Sequence, residues 1–351
     1  MTPAPGTPIR VCLYGLGAIG SAVARAILAT RGLAIVAAID TDKAKNGRDL
    51  HSLLRLKDAS GVVVTDDPRS VLAESAAPPD VVIHCTGSRL ADVVPQLETI
   101  LDAGIPCVTS CEEMAMPEAA DPLLADRLDR LARSHGVALL GAGVNPGFVM
   151  DALVVALSGA TVDVTHISVE RVLDPLARRR VFRKKVGLGM QFAEASRLVQ
   201  SGRLGHIGLK QSAMLVARGM GWELSSITED IRLLCEDDTP SKRSRRPARP
   251  DASIIGMVQT LVASDAGGER LRMEMVMAAG AEAPHDAITI SGSPDLSLWI
   301  QGGVPGDQAT VACLINGMIQ VIHAPRPGLL TMLDLPLRPT KAPARGKEQP
   351  A

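Results

Sequence analysis

The segment IRVCLYGLGAIG (9–20) constrains this chain more than any other. A short apolar, β-branched run leads into glycines at 15, 17 and 20, and a helix-period stretch follows with Ile19, Val23, Ala26 and Ile27 on one face. Strand, glycine turn and helix in that order form a phosphate cradle. The first glycine permits the tight turn, and the second lets backbone approach a pyrophosphate. The third lets helix and strand pack closely, and the helix N-terminus turns its N–H groups toward the anion. Gly15, Gly17, Ala18, Ile19 and Gly20 are therefore the candidate cofactor-binding residues of the loop. The next apolar run, LAIVAAID (33–40), ends in Asp40, 20 residues past Gly20. A carboxylate there accepts hydrogen bonds from ribose hydroxyls and repels a 2′-phosphate, which predicts NAD; Lys43, Lys45 and Arg48 nearby relax that choice toward NADP.

The pattern continues with short apolar runs at 62–65, 81–87, 106–111 and 137–143, separated by helix-period segments at about 90–103 and 122–135. The second of those helices is well marked: Asp121 caps it, Pro122 suits its first turn, Leu124, Leu128 and Leu131 line one face, and Gly136 ends it. Strands alternating with crossover helices predict an α/β fold, a Rossmann-type doubly wound parallel sheet. After about residue 150 the grammar changes. Residues 164–174 and 270–280 read as longer antiparallel strands, the latter alternating Leu271, Met273, Met275 and Met277; 189–201 reads as a helix, and 225–235 fits either state. A second, smaller α+β domain is expected. The Arg-rich stretch 236–251 reads as a solvated hairpin loop, and 308–323 as a helix stopped before Pro325.

Composition narrows the function. With 351 residues the chain has room for about two domains at roughly 150 residues each. A formal charge of −1 lacks the basic surface of a nucleic-acid binder, and 3 Phe, 2 Trp and 1 Tyr supply no stacking platform for single strands. No run of about 18 uncharged apolar residues marks a membrane span, and the start lacks a secretory leader. The six cysteines show no C-x-x-C spacing and the seven histidines no paired spacing, so neither a metal site nor disulfides are expected. The expectation is a soluble, cytoplasmic protein with a small-molecule substrate and no nucleic-acid or membrane partner.

Chemistry concentrates where strands end. CTGS (85–88) closes the fourth run at the carboxyl edge, where open α/β sheets bind ligands, which makes Thr86 and Ser88 candidates for the cofactor's ribose or phosphates. The fifth run ends in Glu112 and Glu113. Neighbours on a strand point to opposite sides, so at most one faces the cofactor. A carboxylate partly removed from water has a raised pKa, trades protons near neutrality and complements a substrate cation. The sixth run enters GAGVNPGFVMDAL (141–153), where Asn145 and Pro146 read as a helix cap and first turn; the same turn opens at the ligand edge and can present Asn145 to the cleft, and the two roles can coexist. Thr310 and Asn316 lie on the last helix. Periodicity alone makes them surface or cap residues; a helix returning to the first domain places them beside the active site. Of the cations at 171, 178–180 and 183–185, one can hold a substrate carboxylate while the others are solvated.

These segments resemble the 2,4-diaminopentanoate dehydrogenase family, which includes native NAD(P)-dependent amine dehydrogenases and is related to dihydrodipicolinate reductase. GLGAIG, SCEEM, GAGVNPGFVMDAL, KKVGLG (184–189), APHDAITISGSP (283–294) and the segment 306–336 carry the likeness, in family order, over about residues 9–337. It implies a dinucleotide-binding domain over 1–150 completed by 306–338, an α+β substrate and dimerisation domain over 151–305, and a homodimer; the tail over 339–351, rich in Pro, Lys and Arg, is expected to be disordered from its composition. It implies reversible oxidative deamination of a primary amine to a ketone and ammonia. Glu112 then handles the amine, with Glu113 second, and Asn316 holds the nicotinamide amide; Asn145 and Thr310 remain the substrate candidates from their place at the turn and on the last helix. Dihydrodipicolinate reductase itself is excluded by the missing paired-His motif with its downstream lysine. Two other readings fit the cradle: a dehydrogenase for an alcohol or imine that needs no free ammonia, and a dinucleotide sensor without turnover.

Overall fold

The structure is a computed structural model that describes residues 7–177, 180–236, 238, 249–337 and 339. The chain forms two compact units, one built from residues up to Phe148 and from Gly306 onward, the other from Val149 to Pro305.

In the first unit, β1 (Ile9–Tyr14), α1 (Ala18–Leu28), β2 (Leu33–Ile39), α2 (Leu50–Leu53), β3 (Val64–Thr65), α3 (Pro68–Leu72), β4 (Val81–His84), α4 (Leu90–Asp102), β5 (Cys107–Thr109), α5 (Pro122–Ser134) and β6 (Ala138–Gly141) follow one another. All neighbouring strands run parallel in the order β3-β2-β1-β4-β5-β6, and a last strand from the chain's end extends the sheet beyond β6. Strand order reverses between β1 and β4, which defines the switch point of a doubly wound sheet. Val11, Cys12, Leu13, Val81, Val82 and Ile83 are fully buried, as expected of strands covered on both faces. The Asp121 carboxylate caps α5 through the N–H groups of Leu123 (2.9 Å) and Leu124 (3.1 Å), with Pro122 at the first position.

Two local expectations give way. The fifth strand stops at Thr109, and Glu112–Ala115 form a 3-10 turn rather than the strand's end. The next helix starts at Ala152, capped by Asp151, not at Asn145–Pro146. The Asn145–Pro146 bond is cis, and Gly147 (φ +124°) folds back onto Gly143. That stretch is a compact turn.

The second unit holds α6 (Ala152–Ser158), β7 (Val162–Leu173), α7 (Arg180–Lys185), α8 (Phe192–Gln200), α9 (Leu209–Met220), β8 (Ser226–Cys235), β9 (Ile254–Asp265), β10 (Gly268–Ala278), β11 (His285–Ser293) and β12 (Leu296–Gln301). Its sheet runs β12-β11-β7-β10-β9-β8. Strands β7 and β10, expected to be antiparallel, are each antiparallel to an outer neighbour but parallel to one another. The alternation on β10 does set its buried face: Leu271, Met273, Met275 and Met277 are all enclosed. The ambiguous 225–235 segment is strand β8, hairpinned to β9; residues 237 and 239–248 of the Arg-rich connection lie outside the described residues, as do 340–351. Arg171 is not solvated. It is buried against Asp286 (3.1 Å) and donates to the Val304 carbonyl, a charge neutralised inside the unit.

From Gly306 the chain rejoins the first unit as α10 (Gly306–Ile322) and β13 (Gly328–Leu330). Helix α10 packs on α1, β4, β5 and β6, and it does so closely at Gly317, where a Cβ would lie 3.0 Å from the Leu140 side chain. Among the described residues no helix is long and apolar enough to cross a membrane, and no three His, Cys, Asp or Glu side chains group to hold a metal ion. All six cysteines are free thiols.

Candidate active site

The carboxyl ends of β1, β2, β4, β5 and β6 share one edge of the sheet, and each carries a candidate residue. At β1, Gly15 adopts φ +96°, and a Cβ there would lie 2.6 Å from the Cys85 carbonyl oxygen. At Gly20 it would overlap the Gly15 carbonyl oxygen at 1.8 Å. Those two glycines are demanded by the fold. Gly17 is different: no atom lies within 4 Å of the Cβ position, and its φ of −70° suits any residue. It caps α1 without a side chain, which leaves an open approach to the helix N-terminus. Such an opening at a helix N-terminus, with its free N–H groups, is the kind of place where an anion binds.

Asp40, at the end of β2, is buried. Its Oδ2 accepts the Leu16 N–H (2.7 Å) and the Lys45 ammonium (2.8 Å), and its Oδ1 accepts the Asp42 N–H (2.9 Å). Burial alone would raise the carboxyl's pKa, but Lys45 and the two backbone donors outweigh it and hold the group ionised below its ordinary value. The carboxylate thus ties the β2 loop to the glycine turn.

At β4 a buried network appears that the sequence reading missed. The His84 ring bonds through Nδ1 to Thr109 Oγ1 (2.8 Å) and through Nε2 to Gln96 Oε1 (2.7 Å). The amide oxygen only accepts, so His84 carries its proton on Nε2 and Thr109 donates to Nδ1. Thr109 Oγ1 in turn accepts the Cys111 N–H (3.1 Å), one residue before Glu112. Desolvation pushes the His84 pKa down to about 4, so the ring is neutral at pH 7. Thr86 joins through its hydroxyl, which donates to Gln96 Oε1 (2.6 Å) and contacts His84 Nε2 (2.9 Å); its methyl faces Gly15. The one sequence signal was a histidine ending the apolar run VVIH (81–84).

The adjacent glutamates hold different positions. Glu113 Oε2 accepts the N–H of Leu90, the first residue of α4 (2.6 Å), Oε1 lies 3.6 Å from Arg89, and its own N–H donates to the Ser88 carbonyl (3.2 Å). Glu113 therefore satisfies a helix N-terminus and joins the CTGS turn to the acid-bearing turn. Glu112 precedes it, half-buried. The turn is held from β6 as well: a Cβ on Gly141 would lie 2.1 Å from the Met114 carbonyl oxygen. Next to it, the Val144 N–H donates to Thr310 Oγ1 (3.4 Å), which brings α10 to the turn bearing Asn145. Asn316, two turns further along α10, sits beside Gly317 where the helix crosses β5 and β6.

A parallel sheet of this order with such a cradle at its switch point is a Rossmann-type dinucleotide-binding unit, and the molecule is an NAD(P)-dependent oxidoreductase. The chain belongs to the 2,4-diaminopentanoate dehydrogenase family. The family model for the 2,4-diaminopentanoate dehydrogenase C-terminal domain matches residues 148–345, and that for the dihydrodipicolinate reductase N-terminus matches 9–112. The chain is 30% identical over 335 residues to a 2,4-diaminopentanoate dehydrogenase of Acetoanaerobium sticklandii, covering 94% of both chains. It is 27% identical to an amine dehydrogenase of Streptomyces virginiae, over 94% of this chain and 97% of that one. The solved amine dehydrogenase of Mycobacterium smegmatis superposes with a TM-score of 0.79 at 28% identity, covering 97% and 98% of the two chains.

Proposed function

We propose that the protein catalyses the reversible oxidative deamination of a small primary amine to a ketone and ammonia, with Glu112 as the acid at the reacting nitrogen. The observation that carries this reading is the division of labour on the 112–115 turn. Glu113 is committed to the α4 N-terminus, and Glu112 stands half-buried at the carboxyl edge of β5, on a turn clamped by Gly141 and wired through Cys111 and Thr109 to His84.

When bound, the dinucleotide supplies the hydride acceptor for the carbon bearing the amine. Glu112, as a carboxylate, orients the substrate nitrogen and stabilises the cationic iminium that remains after that carbon loses hydride. It then takes a proton from the attacking water and returns it to the nitrogen; as the C–N bond breaks, the hydroxyl proton passes to the departing ammonia, so that ketone and ammonium leave and Glu112 is a carboxylate again. Gly15, Gly17, Ala18, Ile19 and Gly20 form the pyrophosphate cradle, with Asp40 at the adenosine ribose, which favours NAD. Ser88 lies along the cofactor's path; Thr86 shapes it with its methyl. Asn316 is assigned to the nicotinamide amide, and Asn145 and Thr310 to the substrate. The family resemblance supports a cytoplasmic homodimer in which residues 151–305 form the substrate and dimerisation domain.

The test is a panel of small ketones with ammonium, and of amino and diamino acids in the oxidative direction, following NADH at equilibrium-independent initial rates. Ketone-dependent NADH consumption is expected only when ammonium is present. Equal rates without ammonium would assign the site to an alcohol or imine reductase instead, and NADH binding with no consumption on any substrate would leave a sensor. Sedimentation of the purified protein checks the dimer.

A further inference from the structure

The ion pair at the end of β2 bears on which dinucleotide this site accepts. Lys45 Nζ lies 2.8 Å from Asp40 Oδ2 and 3.9 Å from Asp42 Oδ2. A carboxylate offers about four lone-pair sites. At Asp40 three are taken, by the Leu16 N–H, the Asp42 N–H and Lys45. The remaining one suffices for a single ribose hydroxyl.

The charge matters as much as the count. A bare carboxylate at this position repels a 2′-phosphate. Here an ammonium five residues away compensates it, and that ammonium belongs to a loop fastened just past Lys45. Gly47 N–H donates to the Val64 carbonyl (2.8 Å), and Asn46 Nδ2 to Asp66 Oδ1 (2.9 Å). The Lys45 side chain is one quarter exposed. With the loop backbone held, the lysine's flexible stem is the part able to move, and its three-donor head can keep Asp40 neutralised while donating to a phosphate at the ribose 2′ position. Lys43 and Arg48, on the same loop, are exposed and add to the positive rim.

We infer that Lys45 sets the choice between NAD and NADP: its ammonium neutralises Asp40 beside a 2′-hydroxyl and, still against Asp40, donates to a 2′-phosphate, so that one site accepts both dinucleotides. The inference rests on the reading that the glycine turn holds a dinucleotide. It asks for no movement of the backbone.

Binding, rather than turnover, tests it. NADH and NADPH are titrated by nicotinamide fluorescence into the wild-type protein, Lys45→Met and Lys45→Arg, with thermal melts verifying that each variant folds. The wild type is expected to bind the two within about tenfold of each other. Lys45→Met should weaken NADPH by about tenfold or more, the worth of one charge-assisted contact to phosphate, and NADH by less than about twofold. Lys45→Arg should retain NADPH. An unchanged NADPH-to-NADH affinity ratio in Lys45→Met, or wild-type discrimination against NADPH beyond about a hundredfold, would overturn the assignment of Lys45 and leave the dinucleotide site standing. If the folded wild type bound neither, the dinucleotide reading itself would fall and this inference with it.

Discussion

Glu113 Oε2 accepts the backbone N–H of Leu90 at 2.6 Å, across 23 residues of sequence. This contact separates two side chains that the sequence presents as equivalents. Glu113 fills one of the orphan donors of α4 and places a negative charge at the positive end of that helix, with Arg89 alongside. Replacing it with Ala should lower stability by about 1 kcal/mol, the usual worth of a helix cap. For a unit of this size that is a fall in melting temperature of about 2–4 °C. Turnover should stay within about threefold of wild type, since binding contacts that do not change in the transition state alter kcat little. Calorimetry and initial rates check both halves.

Gly17→Ala separates ligand from fold. The added methyl meets nothing within 4 Å and the backbone conformation tolerates it, so the melting temperature should hold or rise slightly. The same methyl stands where the pyrophosphate must approach, and NADH affinity should drop by about tenfold or more. Gly20→Ala, whose Cβ would overlap the Gly15 carbonyl, should instead damage folding itself. A Gly17→Ala protein that binds NADH as wild type does would remove the cradle from the account.

Acid should destabilise the protein through His84. Its pKa falls from 6.5 unfolded to about 4 folded because burial penalises the charged ring. The unfolded chain therefore binds a proton that the native state refuses, and stability present above about pH 6.5 is lost as pH falls toward 4. The share is up to about 3 kcal/mol. His206, lowered to about 3 by desolvation and by Lys185 and Arg171, acts in the same direction. Urea midpoints from pH 7.5 to 4.5 should decline more steeply for the wild type than for His84→Gln. Parallel declines would contradict the buried neutral ring.

The parts of this fold that were legible in the sequence are those fixed by short-range rules. The glycine turn, Asp40 and the cap at Asp121 follow from spacing along a strand–turn–helix unit, and the Leu271–Met277 alternation follows from the two-residue period of a strand. What escaped depended on distant partners. Strands β7 and β10 are parallel because of pairing between residues about a hundred apart, which no local pattern encodes. Helix α9 is not legible from periodicity since polar Gln211 and Ser212 interrupt its apolar stripe, and the hydroxyl of buried Ser212 donates to the distant Asp151 Oδ2 at 2.6 Å. Strand β13 is three residues long, too short for any periodicity. At the site, the two-residue alternation expected of Glu112 and Glu113 fails as the backbone turns at Ser110 to pass over Gly141; a glycine in the neighbouring strand makes that turn possible.

The most direct measurement is made on Glu112→Gln, an isosteric change that removes the charge and the exchangeable proton. NADH affinity, read by fluorescence, should stay within about twofold of wild type, while kcat for reductive amination falls by about a hundredfold to a thousandfold, as when other preorganised charge-stabilising groups are removed. A variant that binds NADH normally and keeps most of its turnover would contradict the assignment of Glu112 as the acid at the amine.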